Sequence, residues 1–524
     1  MLTDHILTLM TFVPAAGAFV VALLPRKTRL IRWWALIVTV VTFALTLHLP
    51  AHFDYGKSGF QFVENHAWIT SPAIHYHMGA DGLSMWLAVL TGFLSIVGVL
   101  ASWKAIEARA KEFYFYFLLQ QTAMLGIFLS LDLFLYYCFW ELSLIPMAIL
   151  IAMFGRERGP RTALKFFLYT FLPSALFLVA ILWLYAKTGT FDYVTIHSFL
   201  LANPTLFSAN ALFWVALAFL VAFAVKVPVF PLHGWLSDVI SDAPTAMAMV
   251  VAGKLGLYSI LRFNVGLFPA QAREFAPYMI ALAVIGILYG ACIALVQTDL
   301  KRLIGYSILS ALSFCTLGIF CFSLSGLDGA VYQFINEGVS GAAFLALAGF
   351  LYDRYGTLDM KRYGGLAAKL PMMATFFVVT ALSLIGFPLF NGFVGEFLIL
   401  SGSFAQHHGW VFAATIGVIL SAAYMLTMIQ RIFYGPQSTM VTERPTRDFH
   451  AHEHILLWPM AALMIAMGVA SPFWMRAIDQ GVKGFSYGAS QSDQATTMTF
   501  QEVTSQYRVT SVKLTTTPTA QEKR

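Results

Sequence analysis

The chain alternates between long stretches of apolar residues and short polar loops. Fourteen of these stretches are about 20 residues long, which is the length that an α-helix needs to cross the hydrocarbon core of a bilayer. The pattern therefore predicts an all-α polytopic membrane protein with about 14 transmembrane helices. We number the predicted spans from 1 to 14 in chain order; they cover residues 4–24, 30–49, 83–103, 113–131, 133–154, 163–186, 210–231, 243–262, 275–297, 303–325, 328–352, 372–400, 410–434 and 454–475.

Basic residues are distributed unevenly between the loops. The loops after odd-numbered spans carry 20 Lys and Arg residues in total, whereas the loops after even-numbered spans carry 4. Because cytoplasmic loops of membrane proteins are enriched in Lys and Arg, the odd-numbered loops are predicted to be cytoplasmic. Both termini, and the long acidic loop 50–82, are then predicted to lie on the outer side. The net charge of +6 is thus explained by topology and does not indicate nucleic-acid binding.

Prolines interrupt two of the predicted spans. In span 7, Pro228 and Pro231 follow closely after Lys226, and neither proline can donate a backbone hydrogen bond to the preceding turn. Span 12 contains Pro388 in a similar Phe-Pro-Leu sequence, eight residues before Glu396. Broken helices are tolerated within a bilayer only where the freed backbone faces protein or a water-filled cavity. Each helix break is therefore a candidate functional site.

The two interrupted spans also suggest an internal repeat. They are five spans apart and so cross the membrane in opposite directions, as an inverted-topology repeat requires. We predict two inverted five-helix repeats, spans 4–8 and spans 9–13, each with one broken helix. The corresponding regions are residues 1–112 for spans 1–3 with the outer loop, 113–270 and 271–435 for the repeats, 436–475 for span 14, and 476–524 for a polar tail. The tail is predicted to be disordered, and a small hairpin near 499–512 is the alternative.

Five ionisable residues lie deep within the predicted spans: Glu141, Lys226, Lys254, Glu337 and Glu396. A charge at the centre of a bilayer costs about 2.5–3.5 kcal/mol on insertion scales, so these groups must pair, lose their charge or contact water. Burial and a neighbouring charge can bring such groups into a range where they exchange protons near neutral pH. The sequence therefore predicts a proton relay; static ion pairs that lock helices together are the alternative.

Other charged or ligand-forming residues are interpreted as structural. Arg156 and Lys301 are predicted to be loop charges, and Asp132 and Asp299 to be structural or interfacial residues at span boundaries. The histidines at 75, 77, 450, 452 and 454 lie in predicted loops, and we predict no metal site. The four cysteines show no redox or metal-binding spacing, and no nucleotide, flavin or iron–sulfur motif is present.

The motifs of these spans resemble those of the antiporter-like membrane subunits of respiratory complex I. The resemblance covers about residues 80–475 and is carried by five segments, at residues 139–146, 226–236, 243–245, 297–304 and 393–397. Related L-type and N-type subunits look as if they carry lysine at the position of Glu396, so this glutamate favours the M-type branch. At Glu337 the family usually has histidine, and at Ala311 another histidine, so the central part of the relay departs from the family pattern.

The resemblance implies specific roles for the buried residues. Glu141 and Lys226 would form the coupled pair of a first half-channel, Lys254 would pass protons toward the centre, and Glu396 would end the second half-channel. His233 and Asp299 would support them.

The resemblance also implies that this chain carries no redox cofactor, and that NADH, FMN, iron–sulfur clusters and quinone bind elsewhere in the complex. Its expected partners are L-type and N-type membrane-arm neighbours and the lipid of a bacterial inner membrane. A multisubunit sodium/proton antiporter and a membrane-bound hydrogenase-type complex are the alternatives.

Overall fold

The computed structural model describes residues 5–57, 59–203, 207–247, 254–444 and 446–486 of the chain. Within these ranges the chain is mostly helical, with one two-stranded sheet. The elements before the first helix break are α1 (Ile6–Leu23), α2 (Thr28–Thr46), α3 (His48–His52), β1 (Gln61–Ile69), β2 (Ile74–Ala80), α4 (Gly82–Ala101), α5 (Ala110–Leu129), α6 (Leu133–Phe154), α7 (Gly159–Thr188), α8 (Tyr193–Ala202) and α9 (Ala209–Lys226).

The second part of the chain continues with helices of very different lengths. They are α10 (Leu236–Asp242), α11 (Lys254–Ser259) with a π-helical turn at Ile260–Val265, α12 (Pro269–Val296), α13 (Leu300–Phe320), α14 (Leu324–Tyr355), α15 (Pro371–Leu384), α16 (Asn391–Phe433), α17 (Thr439–Glu443), α18 (Ala451–Val469) and α19 (Pro472–Ser486). Two short 3₁₀ turns, Met360–Arg362 and Leu366–Ala368, join α14 to α15.

Eleven of the described helices are long and apolar enough to cross a membrane. Three predicted spans, 4, 8 and 12, have no separate helix among these eleven. Span 4 coincides with α5, which is long enough but less apolar, and span 8 is represented in the described residues only by the short α11 and the π-helical turn. The predicted span 12 is divided by its break into α15, which has only 14 residues, and the start of α16. Spans 12 and 13 are joined in α16, where the expected loop is a kink at His407. The all-α polytopic architecture is confirmed, while the exact number of spans stays a prediction.

The loop 50–82, predicted to lie on the outer side, contains a β-hairpin that the sequence analysis did not predict. Strands β1 and β2 pair antiparallel, with His66 opposite Tyr76. The hairpin docks on the helices through β2, because the His75 N–H donates to Asp132 Oδ2 over 3.1 Å and the His77 ring is hydrogen-bonded to Asp192. Burial alone would raise the pKa of Asp192, but hydrogen bonds from His77 and Thr195 outweigh it and lower the pKa. We call this end of the helix bundle the hairpin face.

Two similar junctions lie at opposite ends of the bundle. Asp132 caps α6 and forms an isolated β-bridge with Asp192; Asp299 caps α13 and forms the same bridge with Asp359. The aspartates of each bridge are equally far apart in sequence. Asp132 contacts the hairpin, whereas Asp299 lies 3.7 Å from Arg156, which follows the far end of α6. An inverted repeat would place matching junctions in this way.

The polar tail begins as a helix. The residues from 476 to Ser486, predicted to be disordered, belong to α19, and Ala477, Ile478 and Val482 on one face of this helix are fully buried. A carbonyl of α19, that of Ala477, faces Gly82 so closely that a side chain at Gly82 would collide with it. Helix α19 therefore packs on the hairpin face. The rest of the tail, including the hairpin considered near 499–512, lies outside the described residues.

Two broken helices with buried charges

The first break separates α9 from α10, and two of the carbonyls beside it accept replacement hydrogen bonds. Pro228 cannot donate to the Ala224 carbonyl, and the N–H of Val229 takes its place at 2.8 Å. The indole Nε1–H of Trp235 donates to the carbonyl of Val225, also at 2.8 Å. The protein thus supplies partners for these two carbonyls, as a break inside a bilayer requires.

Lys226, the last residue of α9, is 7% exposed and turns toward α6. Its Nζ donates to Ser143 Oγ over 3.4 Å and lies 4.8 Å from the centre of the Trp140 ring. The ring of Phe166 is 5.9 Å away. An ammonium above an aromatic face gains up to about 2 kcal/mol when it is desolvated. A hydroxyl and an indole, rather than a carboxylate, therefore hold the buried ammonium in this conformation.

Glu141 lies on α6 close to Lys226, but the predicted pair is not in direct contact. Among the described side chains, no ion pair within 4 Å joins Glu141 to Lys226. The carboxylate is near enough to interact electrostatically with the ammonium. One of its oxygens, Oε1, is buried and has no hydrogen-bond partner among the described residues. The two groups are therefore neighbours without a direct contact.

Lys165, on the neighbouring helix α7, fixes the polypeptide that follows the first break. Its Nζ donates to the Gly234 carbonyl over 2.6 Å and to Asp238 Oδ2 over 2.7 Å. The ring of His233 stacks on Phe230, and its Nδ1 is buried without a hydrogen-bond partner in the described part of the chain. The predicted supporting residue His233 therefore lies in the break itself.

The second break lies between α15 and α16 and is built around Gly386. This residue has φ +68°, a left-handed conformation that favours glycine. A Cβ atom at Gly386 would lie 2.4 Å from Oε2 of Glu396. Glu396 is 8% exposed, and its carboxylate occupies the space that the missing side chain leaves. Pro388 follows in the same loop, so this break also holds a buried ionisable group.

A network of uncharged polar side chains surrounds the second break. Ser383 Oγ donates to Asn391 Oδ1 over 2.6 Å, and Asn391 Nδ2 donates to Ser340 Oγ over 3.2 Å. Asn336 Nδ2 donates to the backbone carbonyl of Asn391 over 2.7 Å. All four side chains are buried. The sequence analysis missed this network because it searched for charge; the signal was the series of small polar residues within the apolar sequence of α14.

Glu337 and Glu396 are brought together from two helices. Glu337 lies on α14, is 3% exposed and interacts electrostatically with Glu396 on α16. A Cβ at Gly341 would lie 2.8 Å from Oε1 of Glu337, so the small residue one turn further along leaves room for the carboxylate. Tyr424 is within electrostatic range of both glutamates. The second half of the molecule thus contains a pair of buried carboxylates.

Two further predicted residues differ in what the structure describes of them. Lys254 begins α11, and its side chain lies outside the described residues. Asp299 accepts from the backbone N–H of Arg302 over 3.0 Å as the N-cap of α13. It is therefore at the end of the bundle rather than at a break.

Several buried charges escaped the sequence analysis because they lie near predicted span ends. Lys301, interpreted as a loop charge, is in fact 4% exposed in the first turn of α13, and its Nζ donates to the Ala243 carbonyl over 3.0 Å. Arg262 is buried in the π-helical turn and pairs with Asp81 at 2.8 Å. Asp328 is buried near the start of α14. Among the described residues, no three His, Cys, Asp or Glu side chains converge as metal ligands would.

Comparisons with known proteins point to one family. The profile described as "NADH:quinone oxidoreductase/Mrp antiporter, TM" matches residues 130–422. NADH-quinone oxidoreductase subunit M of Rickettsia prowazekii (strain Madrid E) is 36% identical over 476 residues, which cover 90% of this chain and 96% of that protein. Subunit M of Rhodobacter capsulatus is 39% identical over 483 residues, covering 89% and 93%. A chain of respiratory complex I from Thermus thermophilus with bound NADH, 29% identical, superposes with a TM-score of 0.83 over 92% of this chain and 99% of that one.

Proposed function

The chain belongs to the family of membrane subunits shared by NADH:quinone oxidoreductases and Mrp antiporters, and we propose that it is the M-type, proton-translocating membrane subunit of a bacterial respiratory complex I. In this proposal, electrons pass from NADH to quinone in other subunits, and this chain carries protons but no redox centre. L-type and N-type subunits are its proposed neighbours in the membrane arm. The hairpin face is proposed to lie on the outer side of the inner membrane, as the distribution of Lys and Arg predicts.

The observation that carries this proposal is that each broken helix contains a nearly fully buried ionisable side chain. Lys226 ends α9 and Glu396 lies under Gly386 at the start of α16. A buried ionisable group in a membrane protein is costly and marks a functional pathway by default. Two such groups, one at each break, are what a pathway for protons needs.

Glu141 is the proposed switch for the proton on Lys226. A charge pair at 4 Å is worth about 4 kcal/mol at an effective dielectric constant of 20. This energy is enough to change the protonation equilibrium of the lysine by about three orders of magnitude. With Glu141 close, the ammonium is stabilised; with Glu141 withdrawn, Lys226 is left with Ser143 and Trp140 and can release its proton toward Lys254.

Glu337 and Glu396 are proposed to receive the proton in the second half of the chain. Two carboxylates that share a buried site do not readily carry charge at the same time. The pair therefore holds a proton between them, and the arrival of another proton from the side of Lys254 favours release toward the hairpin face. The amides and hydroxyls around Asn391 supply donors and acceptors beside this pair.

The proposal is tested by replacing Lys226 with Met in the whole complex, reconstituted in proteoliposomes. We expect Lys226→Met to assemble and to lower NADH-driven proton pumping by at least about tenfold, since proton-transfer groups contribute roughly 10²–10⁴-fold. Lys361→Met, at an exposed lysine, is the matched control and should pump like the parent. Pumping by Lys226→Met at the rate of the control would refute the proposed role.

A further inference from the structure

Asp328 is a buried carboxylate that the proposed relay does not use. It lies in the second turn of α14, near the hairpin face, and is 8% exposed. Its Oδ1 has no hydrogen-bond partner among the described residues. A buried polar atom without a partner costs about 1–3 kcal/mol, and more when it carries charge. The burial of the Asp328 carboxylate therefore lowers stability and needs another explanation.

Capping of α14 does not provide that explanation. The N-cap residue is Ser323, whose Oγ accepts from the backbone N–H of Gly326 over 3.0 Å. Asp328 lies five positions after the cap, beyond the backbone N–H groups that a capping side chain can reach. Its side chain is thus left for another role.

Helix α19 lies within electrostatic range of Asp328 at the hairpin face. It packs against the start of α4, where a Cβ at Gly481 would lie 2.8 Å from the backbone nitrogen of Leu83. Asp479 and Lys483 of α19 form a 2.6 Å ion pair, and both interact electrostatically with Asp328. Lys483 is exposed, so this ion pair lies at the boundary between the buried carboxylate and the solvent.

Polar side chains continue from Asp328 toward the second break along α14. Asn336 lies two i+4 steps further along the helix, and its Nδ2 donates to Gln333 Oε1 over 3.2 Å. The Asn336 Oδ1 is another buried oxygen without a hydrogen-bond partner in the described part of the chain. Glu337 is nine residues from Asp328, or about 13.5 Å along the helix axis, so a proton would need intermediate groups or water to cover the distance.

We propose that Asp328 is the last proton-carrying carboxylate before the hairpin face, where it receives protons from the Glu337–Glu396 pair and releases them to water beside α19. This inference rests on the proposed function. Each step breaks one O–H bond and forms another: Glu337 gives its proton to the first of a chain of hydrogen-bonded waters, each water passes a proton to the next, the last water protonates Asp328, and Asp328 releases its proton to bulk water. No electron is transferred, and Asp328 returns to its carboxylate form after release.

The test uses Asp328→Asn and Asp328→Glu in the whole complex, reconstituted in proteoliposomes. Asp328→Asn keeps the shape of the side chain, and we expect it to lower NADH-driven pumping by at least about tenfold. Asp328→Glu restores the carboxylate and should recover most of the rate. Asp54→Asn, at an exposed aspartate before β1, is the control and should leave pumping unchanged. Parent-like pumping by Asp328→Asn, or loss of the assembled complex in both variants, would overturn the inference.

An infrared difference spectrum between the oxidised and the NADH-reduced complex provides a readout that a structural role would not change. We expect Asp328→Asn to remove one carboxyl signal that changes with turnover, and an unchanged set of carboxyl signals would contradict the inference. Lys226→Met separates this inference from the proposed function. If Lys226→Met pumps normally, the relay itself is refuted; if Lys226→Met stops pumping while Asp328→Asn does not, only the role of Asp328 fails.

Discussion

Lys226 and Glu396 are each placed by a local interruption of a membrane helix. Pro228 has no backbone N–H and interrupts the helix next to Lys226. Gly386 has no side chain and leaves space for the carboxylate of Glu396. Both charges could be found in the sequence because a single ionisable residue in a long apolar stretch is rare and costly. Lys301 could not be found in the same way, because a lysine at a predicted span end usually reaches water.

The partners of these charges were less predictable than the charges themselves. The family resemblance implied a Glu141–Lys226 pair, whereas in the structure the ammonium contacts Ser143 and Trp140 and Glu141 is nearby. Contacts between α6 and α9 depend on how two helices rotate against each other. That rotation is set by packing over the whole interface, which the residues of one helix do not specify.

Glu337 provides a test at the scale of one residue. We predict that Glu337→Gln lowers proton pumping strongly while the complex assembles, because the amide keeps the shape but cannot hold an additional proton. Glu337→His should recover part of the pumping, since imidazole can accept and donate a proton near neutral pH. The measurement is NADH-driven acidification of proteoliposomes. A glutamine variant that pumps like the parent would show that Glu337 has a structural role.

At the scale of secondary-structure elements, the helices were more predictable than the hairpin. Most predicted spans coincide with described helices within a few residues, since a stretch of apolar residues of that length has few alternatives in a bilayer. Strands β1 and β2 gave no such signal. Their sequence includes several histidines and a glutamate, and they are stabilised by docking, through contacts such as that of His77 with Asp192, far away in sequence.

The loop between α15 and α16 offers a test of how an element positions a charge. Gly386→Ala would introduce a left-handed alanine, which costs about 1–3 kcal/mol, and would also displace the carboxylate of Glu396. Gly189→Ala is the matched control, because Gly189 has φ +74° but an added Cβ would meet no atom within 4 Å. We expect similar losses of stability in thermal unfolding, but a loss of pumping only in Gly386→Ala. Equal pumping by both variants would contradict the placement of Glu396.

At the scale of the whole molecule, the orientation in the membrane remains a prediction from loop charge. A membrane-impermeant thiol reagent added from the outer side should modify Thr70→Cys, at the tip of the hairpin, and should spare Arg362→Cys, between α14 and α15. Both positions are exposed, and labelling is compared with the parent, which has four cysteines of its own. The reverse pattern would show that the hairpin face is cytoplasmic.

The central claim is that buried ionisable groups at the two helix breaks carry protons, and Glu396→Gln tests it most directly. The measurement is the rate of NADH-driven acidification in proteoliposomes that contain equal amounts of assembled complex, with Glu443→Gln, at an exposed glutamate, as the control. We predict that Glu396→Gln lowers this rate by at least about tenfold, whereas the control pumps like the parent. Equal pumping by the two variants would contradict the account.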